Sequence, residues 1–311
     1  MDILAQLGRS TQVYPLYQRG PLMTYPRLSH ATAPLMQNQL VMNEYGETST
    51  LPLACERPLT LYLNKREIVT LMTLGEQPEA LVLGYLRNQG FVTELAQVIS
   101  IQVDWEVGAA AVVLQALPED LEARLAQRTV TTGCGQGTVF GQQMDRLDQL
   151  ALSQWSVRQS DLYQLLDGLQ QANTTYREAG GVHACALCDR QGQLLAFCED
   201  IGRHNAVDSL AGQLWLEDLP ASELIFYTTG RLTSEMVIKA AQMGISVLLS
   251  RSGATVMGLE LAQRLGILLI ARARGTHFQV FHGAERLILD AKPAPRPSPQ
   301  RRAPAQTGEA S

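Results

Sequence analysis

Cys134 is the residue of this chain whose surroundings most favour nucleophilic chemistry. It lies in the segment 130–137, which also contains Gly133, Gly135 and Gly137, so few side chains are available to bury its thiol. Backbone N–H groups of such a loop can stabilise a thiolate, which lowers the pKa of the thiol and raises its nucleophilicity. The alternative is a small, inert residue tolerated in a tight turn. The sequence by itself leaves both interpretations open.

Cys185 and Cys188 have the spacing of a redox or zinc-binding C-x-x-C motif. On a predicted hairpin of strands 182–188 and 194–198, however, positions i and i+3 point to opposite faces about 10 Å apart, too far for a disulfide or a shared metal ion. We expect Cys198 to lie nearer to His183 than to either of them. The zinc deaminase pattern, H/C-x-E followed by P-C-x-x-C, does not occur. These cysteines are predicted to pack in the core without a metal, and a zinc hydrolase or deaminase is an alternative that rests on the cysteine count.

Three loops that follow predicted parallel strands, at residues 228–231, 250–255 and 272–277, each combine arginine, glycine and hydroxyl side chains. Ligands of open parallel sheets bind beyond the carboxyl ends of the strands, and helix N-termini and guanidinium groups there favour anions. We predict a phosphate-bearing ligand, with solubility and turn formation as the alternative. No G-x-G-x-x-G or P-loop pattern occurs, so an ordinary dinucleotide or NTPase site is not indicated.

Residues 199–205 concentrate ionisable groups between a predicted strand and a helix predicted over 206–216. Asp200 or Asn205 could cap this helix, and Arg203 could pair with Glu199. A helix-entry cap and a functional site are equally compatible with this pattern.

The elements that must position these residues begin with a proline-rich, polar stretch, residues 1–40, which we predict to be an extended arm. A smaller α+β domain over residues 41–150 follows, with the Cys134 loop near its end. Its predicted elements are strands at 59–63 and 68–72, a helix over 78–88, strands at 99–107 and 110–114, and a short helix over 119–127.

The last third of the chain alternates strands and helices, after a helix predicted over 160–173 and the cysteine-bearing hairpin. Such a β-α-β-α-β alternation implies parallel strands with right-handed crossovers, and hence an α/β domain over residues 151–291. Its predicted elements are a strand at 223–227, a helix over 233–243, a strand at 245–249, a helix over 254–265 and a strand at 267–271. The Pro/Arg/Ala-rich residues 292–311 are predicted to form a disordered tail.

Composition limits the classes of function. The 311 residues are 46% hydrophobic and 18% charged, which is enough for a core and excludes disorder throughout. A net charge of −5 argues against a nucleic-acid-binding surface along the whole chain, although a local anion site remains possible. No apolar run reaches membrane-spanning length, no secretory signal is evident, and the five cysteines are unevenly spaced. We therefore expect a cytoplasmic protein that binds neither membranes nor nucleic acid.

The chain resembles the FdhD family of formate dehydrogenase accessory sulfurtransferases from about Glu47 to Leu289. The resemblance rests on the order and spacing of several segments rather than on any one of them. The segments are residues 180–184 (GGVHA), 199–208 (EDIGRHNAVD), 230–231 (GR), 234–237 (SEMV) and 274–275 (RG).

The resemblance implies a homodimeric sulfur carrier and a second domain with a cytidine-deaminase-like three-layer α/β/α fold and a partly parallel sheet, without zinc. Cys134 would take persulfide sulfur from a cysteine desulfurase. It would then sulfurate the bis(molybdopterin guanine dinucleotide) molybdenum cofactor, bound as substrate, for the client formate dehydrogenase. The alternative is a cofactor chaperone without chemistry. This alternative stays open because Gly137 stands where many family members have a second cysteine.

The resemblance also assigns binding of the cofactor to particular residues. The guanine-dinucleotide segment of the family matches Arg272, Ala273, Arg274, Gly275, Thr276 and His277, and further candidates are Arg203, His204, Asn205, Arg231, Ser252 and Thr255.

Overall fold

The structure is a computed structural model that describes residues 25–118 and 149–295, together with residues 121, 129–130, 137–138 and 147. Its helices are α1 (Pro78–Asn88), α2 (Gln159–Ala172), α3 (Thr174–Ala179), α4 (Arg203–Leu216), α5 (Ser234–Gln242) and α6 (Val256–Arg264). Its strands are β1 (Arg27–Leu28), β2 (Met36–Met42), β3 (Thr48–Ala54), β4 (Arg57–Leu63), β5 (Arg66–Thr73), β6 (Val98–Asp104), β7 (Ala109–Leu114), β8 (Thr129–Val130), β9 (Gly137–Thr138), β10 (Val157–Arg158), β11 (His183–Cys188), β12 (Leu194–Asp200), β13 (Ile225–Thr228), β14 (Val247–Ser250), β15 (Leu268–Arg274), β16 (His277–His282) and β17 (Leu287–Ile288). Of the described helices, none has the length and apolar character needed to cross a lipid bilayer.

The first half of the chain builds a five-stranded sheet in the order β1-β6-β7-β4-β5, covered by α1. The predicted hairpin is confirmed, because β4 and β5 pair antiparallel around Asn64 and Lys65, which take positive φ angles of 44° and 74°. Leu59, Leu61 and Leu63 alternate into the core, as the period of a strand requires. The helix predicted over 78–88 is confirmed, and the predicted strands at 99–107 and 110–114 correspond to β6 and β7.

The separate hairpin of β2 and β3 runs across residue 40, where the sequence predicts the end of the arm. Residues 1–24, most of the predicted helix over 119–127 and residues 296–311 of the predicted tail lie outside the described residues.

The second half builds a six-stranded sheet in the order β12-β11-β13-β14-β15-β16. Its central strands β13, β14 and β15 are parallel and the outer pairs are antiparallel. One face packs on α4, α5 and α6, and the opposite face packs on α2. The predicted three-layer α/β/α architecture with a partly parallel sheet is therefore confirmed.

The cysteine hairpin is formed as predicted, but one neighbour differs. Cys185 and Cys188 face the two opposite cores of the sheet, in agreement with the strand period. Cys198 lies directly opposite Cys185, whereas His183 is paired with Asp200. The expectation that Cys198 lies nearer to His183 is therefore wrong. The register between β11 and β12 is set by the turn at residues 189–193 and by a shift in strand pairing after Leu187. The limits of the two strands do not specify this register.

The two sheet units meet where α1 crosses α4 at two glycines. A Cβ atom added to Gly84 of α1 would overlap the backbone carbonyl of Asp208, and one added to Gly212 of α4 would overlap that of Ala80. Each helix therefore uses a glycine to admit the backbone of the other.

A buried polar network joins the same helices to α5. The ammonium group of Lys239 lies 2.8 Å and 2.9 Å from the two carboxylate oxygens of Asp208, and the Asn88 amide donates to Asp208 at 2.6 Å. Because all three side chains are almost fully buried, the ion pair has little access to solvent screening.

Replacing Gly84 or Gly212 by alanine is expected to lower the free energy of unfolding by about 2–3 kcal/mol, because the added methyl group separates the two helices. Gly168→Ala is the matched control. Its Cβ would meet nothing within 4 Å, so the helix-propensity gain of about 0.5–1 kcal/mol should appear undiminished. Urea unfolding followed by circular dichroism measures all three, and stabilisation at Gly84 or Gly212 would contradict the close helix contact.

Lys239→Met is expected to lower the free energy of unfolding by about 3–5 kcal/mol, because it leaves the Asp208 carboxylate buried without its cation. Combining it with Asp208→Asn should recover much of this loss, since the buried charge is then removed. The same unfolding measurement tests both variants. A loss in the single variant that the double variant does not reduce would show that packing, not charge, is responsible.

Candidate functional site

The carboxyl ends of β13 and β14 are joined by the buried hydroxyl group of Ser250 and by a backbone hydrogen bond. The Ser250 hydroxyl donates to the carbonyl of Gly230 at 2.6 Å and accepts from the Ser252 amide at 2.9 Å. The Arg251 amide donates to the carbonyl of Thr228 at 3.0 Å. These bonds fix the loops at 228–231 and 250–255 against each other.

The helices that follow these loops differ in their caps. Thr255 directly precedes α6, and its hydroxyl oxygen accepts the Gly258 amide at 3.2 Å, which is an ordinary N-cap. Gly202 before α4 and Thr233 before α5 provide no side-chain cap. Thr255 is thus used within the fold, whereas the N-cap residues of α4 and α5 supply no such bond.

Arg203 and His204 form the first turn of α4, which begins three residues earlier than the predicted helix at 206. The Nε2 atom of His204 lies 3.1 Å from a carboxylate oxygen of Glu235 in the first turn of α5. The aliphatic part of Arg203 lies against Gly230, where a Cβ atom would be only 2.8 Å from the arginine Cδ. The first turns of α4 and α5 are therefore close together at the end of β13.

His183, at the start of β11, belongs to the same cluster. Its Nδ1 atom lies 3.4 Å from the hydroxyl oxygen of Thr229. Burial lowers the pKa of His183, and the nearby positive charges of Arg203 and Arg231 lower it further, as does His204 when it is protonated. The convergence of these groups makes this edge of the sheet electropositive.

The arginines of this edge are not neutralised by neighbouring carboxylates. Within residues 25–118 and 149–295, no arginine of this edge forms an ion pair. Elsewhere in the second half of the chain, by contrast, Arg158 and Arg190 each pair with a carboxylate. The unpaired arginines are Arg203, Arg231, Arg251, Arg272 and Arg274. We call this set the basic edge.

The segment 272–277 is mostly strand, and its prediction as a loop is wrong. Arg272, Ala273 and Arg274 extend β15, and His277 begins β16, because pairing between these strands continues almost to the turn. Arg272 takes a positive φ of 56°, and its amide donates to the Ser252 carbonyl at 2.7 Å.

Side chains of this hairpin differ in exposure. Arg272 and Arg274 are exposed, whereas Ala273 between them is buried. Gly275 occupies the turn with a positive φ of 56°, and the hydroxyl group of Thr276 accepts the Ala294 amide at 2.8 Å. The two guanidinium groups are thus available to a ligand, and the Ala273 side chain is not.

Acidic and amide groups of the 199–205 segment serve the fold. The Glu199 carboxylate accepts the backbone amides of Thr175 and Tyr176 at 2.8 Å and 2.9 Å rather than pairing with Arg203. The amide nitrogen of Asn205 donates to the Met72 carbonyl at 2.6 Å and to Asp200 at 2.9 Å.

Asp200 connects the two sheet units at this point. Its carboxylate accepts the Thr73 hydroxyl and the Leu74 amide from the end of β5, as well as the Gly202 amide before α4. The start of α4 is therefore held in place by the N-terminal unit.

Glu76 is a half-buried acid near this contact that the sequence does not reveal. Its carboxylate accepts the amide of Glu199 at 3.2 Å. Burial raises the pKa of Glu76 to about 7, and the charges of Glu199 and Asp200 add to the increase. Because these partners are distant in the sequence, no local pattern marks the position.

Three of the four described cysteines are buried, which makes them poor nucleophiles. Burial raises the pKa of Cys185 to about 12 and also raises the pKa values of Cys188 and Cys198. Cys55 is half-buried and unpaired. Within the described residues, no three His, Cys, Asp or Glu side chains are grouped so that they could hold a metal ion.

Cys134 lies outside the described residues. The strands on either side of it, β8 and β9, pair antiparallel, with Val130 opposite Gly137.

Comparisons with known proteins agree with this architecture. The model of the FdhD/NarQ family matches residues 54–288. A sulfur carrier protein FdhD from Bacillus subtilis is 34% identical over 248 residues, covering 78% of this chain and 94% of its own. Another protein of that name, from Geobacillus kaustophilus, is 31% identical over 238 residues, covering 76% and 90%.

A solved structure from Desulfotalea psychrophila, described as a formate dehydrogenase accessory protein, has a similar fold. The TM-score is 0.66 at 28% sequence identity, with 82% of this chain and 100% of that chain covered. The extent of the family match and the identity to its members show that the chain belongs to the FdhD/NarQ family.

Proposed function

We propose that this protein is a sulfur carrier that supports formate dehydrogenase, with Cys134 as its sulfur-accepting residue. The names of relatives that align over most of the chain support this role. The finer proposal is that a cysteine desulfurase donates the sulfur. The bis(molybdopterin guanine dinucleotide) molybdenum cofactor is then the substrate that receives it.

Sulfur enters when the Cys134 thiolate attacks the outer sulfur of the donor's persulfide. A new S–S bond forms at Cys134, the donor's S–S bond breaks, and the donor cysteine leaves as a thiolate. This exchange is redox-neutral and requires only one thiol on the carrier. When the sulfur is passed on, Cys134 leaves as a thiolate, and the acceptor supplies the two electrons that reduce sulfane sulfur to sulfide.

The basic edge is the observation that carries the proposal for the substrate. A cofactor with two guanine dinucleotide arms is a polyanion, and unpaired guanidinium groups bind phosphate through charge-assisted hydrogen bonds. Arg272 and Arg274 of β15 are exposed and make no ion pair within the described chain. The overall charge of −5 does not oppose binding, because the local field around the ligand decides it.

Selectivity for one thiol follows from burial. Sulfur exchange needs a thiolate, and the raised pKa values of Cys185, Cys188 and Cys198 keep these thiols protonated at neutral pH. Cys55 is the competing residue in the described chain, because it is only half-buried.

Location and assembly complete the proposal. Free thiols at all four described cysteines suit a reducing compartment, and we place the reaction in the cytoplasm. A homodimer would present two basic edges to a substrate with two dinucleotide arms.

A chaperone that delivers the cofactor without sulfur chemistry is the second candidate. Gly137 favours it, because this position cannot provide the second thiol that many family members have. In that case, formate dehydrogenase activity in cells would survive the loss of the Cys134 thiol.

Incubation with a cysteine desulfurase and free cysteine is expected to add one sulfur atom to the wild-type protein, measured by intact mass spectrometry. Cys134→Ala should gain none, because the remaining described thiols are buried or half-buried. Cys55→Ala is the matched control and should gain sulfur like the wild type. Equal gain in Cys134→Ala, or loss in Cys55→Ala, would reject Cys134 as the acceptor.

Removal of both charges in Arg272→Gln/Arg274→Gln is expected to reduce formate dehydrogenase activity in cells at least about ten-fold, because each lost charge-assisted bond is worth about 1.5–3 kcal/mol. Sulfur loading of Cys134 should be unchanged in the same protein. Full activity in cells would place the substrate elsewhere. Full activity of Cys134→Ala would instead favour the chaperone.

A further inference from the structure

The ribbon formed by β2 and β3 is a sheet of its own, and most of its residues are exposed. Leu40 and Met42 of β2 are 73% and 70% exposed, and Leu51 and Leu53 of β3 are 49% and 46% exposed. Within the described residues, β2 pairs with no strand other than β3. A two-stranded ribbon is at most marginally stable by itself, and exposed apolar side chains mark surfaces of association. The ribbon is therefore suited to pairing with a further strand.

The outer edge of β2 presents backbone groups that the ribbon does not use. The amide of Cys55 donates to the Leu35 carbonyl at 2.8 Å, and the amide of Asn43 donates to the Glu47 carbonyl at 3.0 Å. Given the register of the ribbon, the backbone groups of residues 35, 37, 39, 41 and 43 therefore point toward β3. The residues that alternate with them direct their N–H and C=O groups away from β3, and they are Met36, Asn38, Leu40 and Met42.

This edge lacks the features that keep exposed strands from pairing. The seven residues of β2, Met36–Met42, include neither a charged residue nor a proline. By contrast, β3 contains Pro52 and lies close to α3, and β5 at the edge of the first sheet begins with Arg66 and Glu67. The edge of β2 is thus open to another uncharged strand.

An antiparallel strand with the same edge would satisfy all of the outward groups. A two-fold axis at Gln39 would pair Met36 with Met42 of the other strand and Asn38 with Leu40. A shift by two residues would leave one outward residue unpaired on each strand. Because β2 is uncharged, no like charges would meet across this pairing. Met36, Leu40 and Met42 share one face of the strand, so an apolar surface would continue across the axis.

Charge also favours a second copy of the chain in this orientation. Glu44 and Glu47, both at the tip, are the charged residues of the segment 36–54. Antiparallel pairing would place the two tips about 30 Å apart, which exceeds the screening length of about 8 Å, whereas parallel pairing would bring them together.

The base of the ribbon offers a positive charge to the acidic tip. In the register centred on Gln39, Glu44 would lie level with Pro34 of the second copy. The Pro34 carbonyl accepts the Arg57 guanidinium at 2.8 Å, and Arg57 forms no ion pair within the described part of the chain. Each tip would therefore approach a guanidinium group that lacks a carboxylate.

We propose that β2 of one chain pairs antiparallel with β2 of a second copy about a two-fold axis at Gln39, so that the two ribbons form a four-stranded sheet. This pairing deepens the homodimer of the proposed function by giving it an interface, and it does not depend on sulfur chemistry. Gln39 faces its own counterpart at about 4.5 Å between Cα atoms, because its backbone groups bond to β3. Gln37, on the same face, lies opposite Val41 of the second copy.

Sedimentation velocity of the full-length chain over a range of concentrations tests this pairing. The wild type should sediment at twice the chain mass of 34.1 kDa. Gln39→Glu is expected to raise the dissociation constant of the dimer at least about ten-fold, because two carboxylates then face each other across the axis. Gln39→Lys should have the same effect, and an equimolar mixture of the two variants should recover association through opposite charges. Gln37→Glu is the matched control and should associate like the wild type.

A wild type that is monomeric at every concentration would overturn the proposal and leave the ribbon to a different protein. A dimer that Gln39→Glu does not weaken, or that Gln37→Glu weakens equally, would also overturn it, as would a mixture that stays monomeric. Both glutamines are exposed in the single chain, so neither substitution should alter the fold, which circular dichroism of each variant verifies.

Sulfur loading of Cys134, measured separately, distinguishes this interface from the proposed function. A wild type that dimerises in the expected pattern but takes up no sulfur would reject the carrier function and keep the interface. A protein that loads sulfur while its dimer ignores the charge at Gln39 would reject the interface and keep the carrier.

Discussion

The contact between α1 and α4 determines where the basic start of α4 lies. Gly84 and Gly212 let the two backbones approach until no side chain fits between them, so a shift of one helix would move the other. Because α4 begins with Arg203 and His204, the same contact also positions these two residues relative to the end of the sheet. A packing constraint between two sheet units thereby sets the geometry of an electrostatic site.

The positively charged side chains of this protein occur in two different environments. Lys239 is buried, and the Asp208 carboxylate neutralises it at close range, as a charge inside a core requires. At the basic edge the arginines form no ion pair with a described carboxylate, and the acids Glu76, Glu199 and Asp200, which lie near one another, do not pair with them. These acids instead bind backbone amides and hydroxyl groups, so they do not neutralise the arginines.

Burial also separates the cysteines into two classes. The strand pairing places Cys185 opposite Cys198, yet both are enclosed in the core, where desolvation disfavours the thiolate. A carrier that exchanges sulfur through one thiol benefits from this arrangement, because sulfur bound to a buried cysteine could not be transferred to an acceptor. The fold therefore protects its own cysteines from the chemistry proposed for Cys134.

Local periodicity was sufficient for the elements whose partners are near in the chain. The hairpin of β4 and β5, the helix at Pro78–Asn88 and the alternating strands and helices of the second half all follow from residue spacing within a short window. The family segments also identify Arg203 and His204 as site candidates without reference to any contact. The sequence alone thus determined the type of these elements and the residues that could take part in chemistry.

Only the tertiary structure decided how these residues are used. It turned the predicted loop at 272–277 into two paired strands, bound Asn205 to Met72 across the two units, and gave the carboxylate of Glu76 its raised pKa. Each outcome depends on atoms more than a hundred residues apart or on the neighbouring strand of a sheet. These contacts and the burial of Glu76 are properties of the assembled chain, so the local pattern of residue types around each position does not specify them.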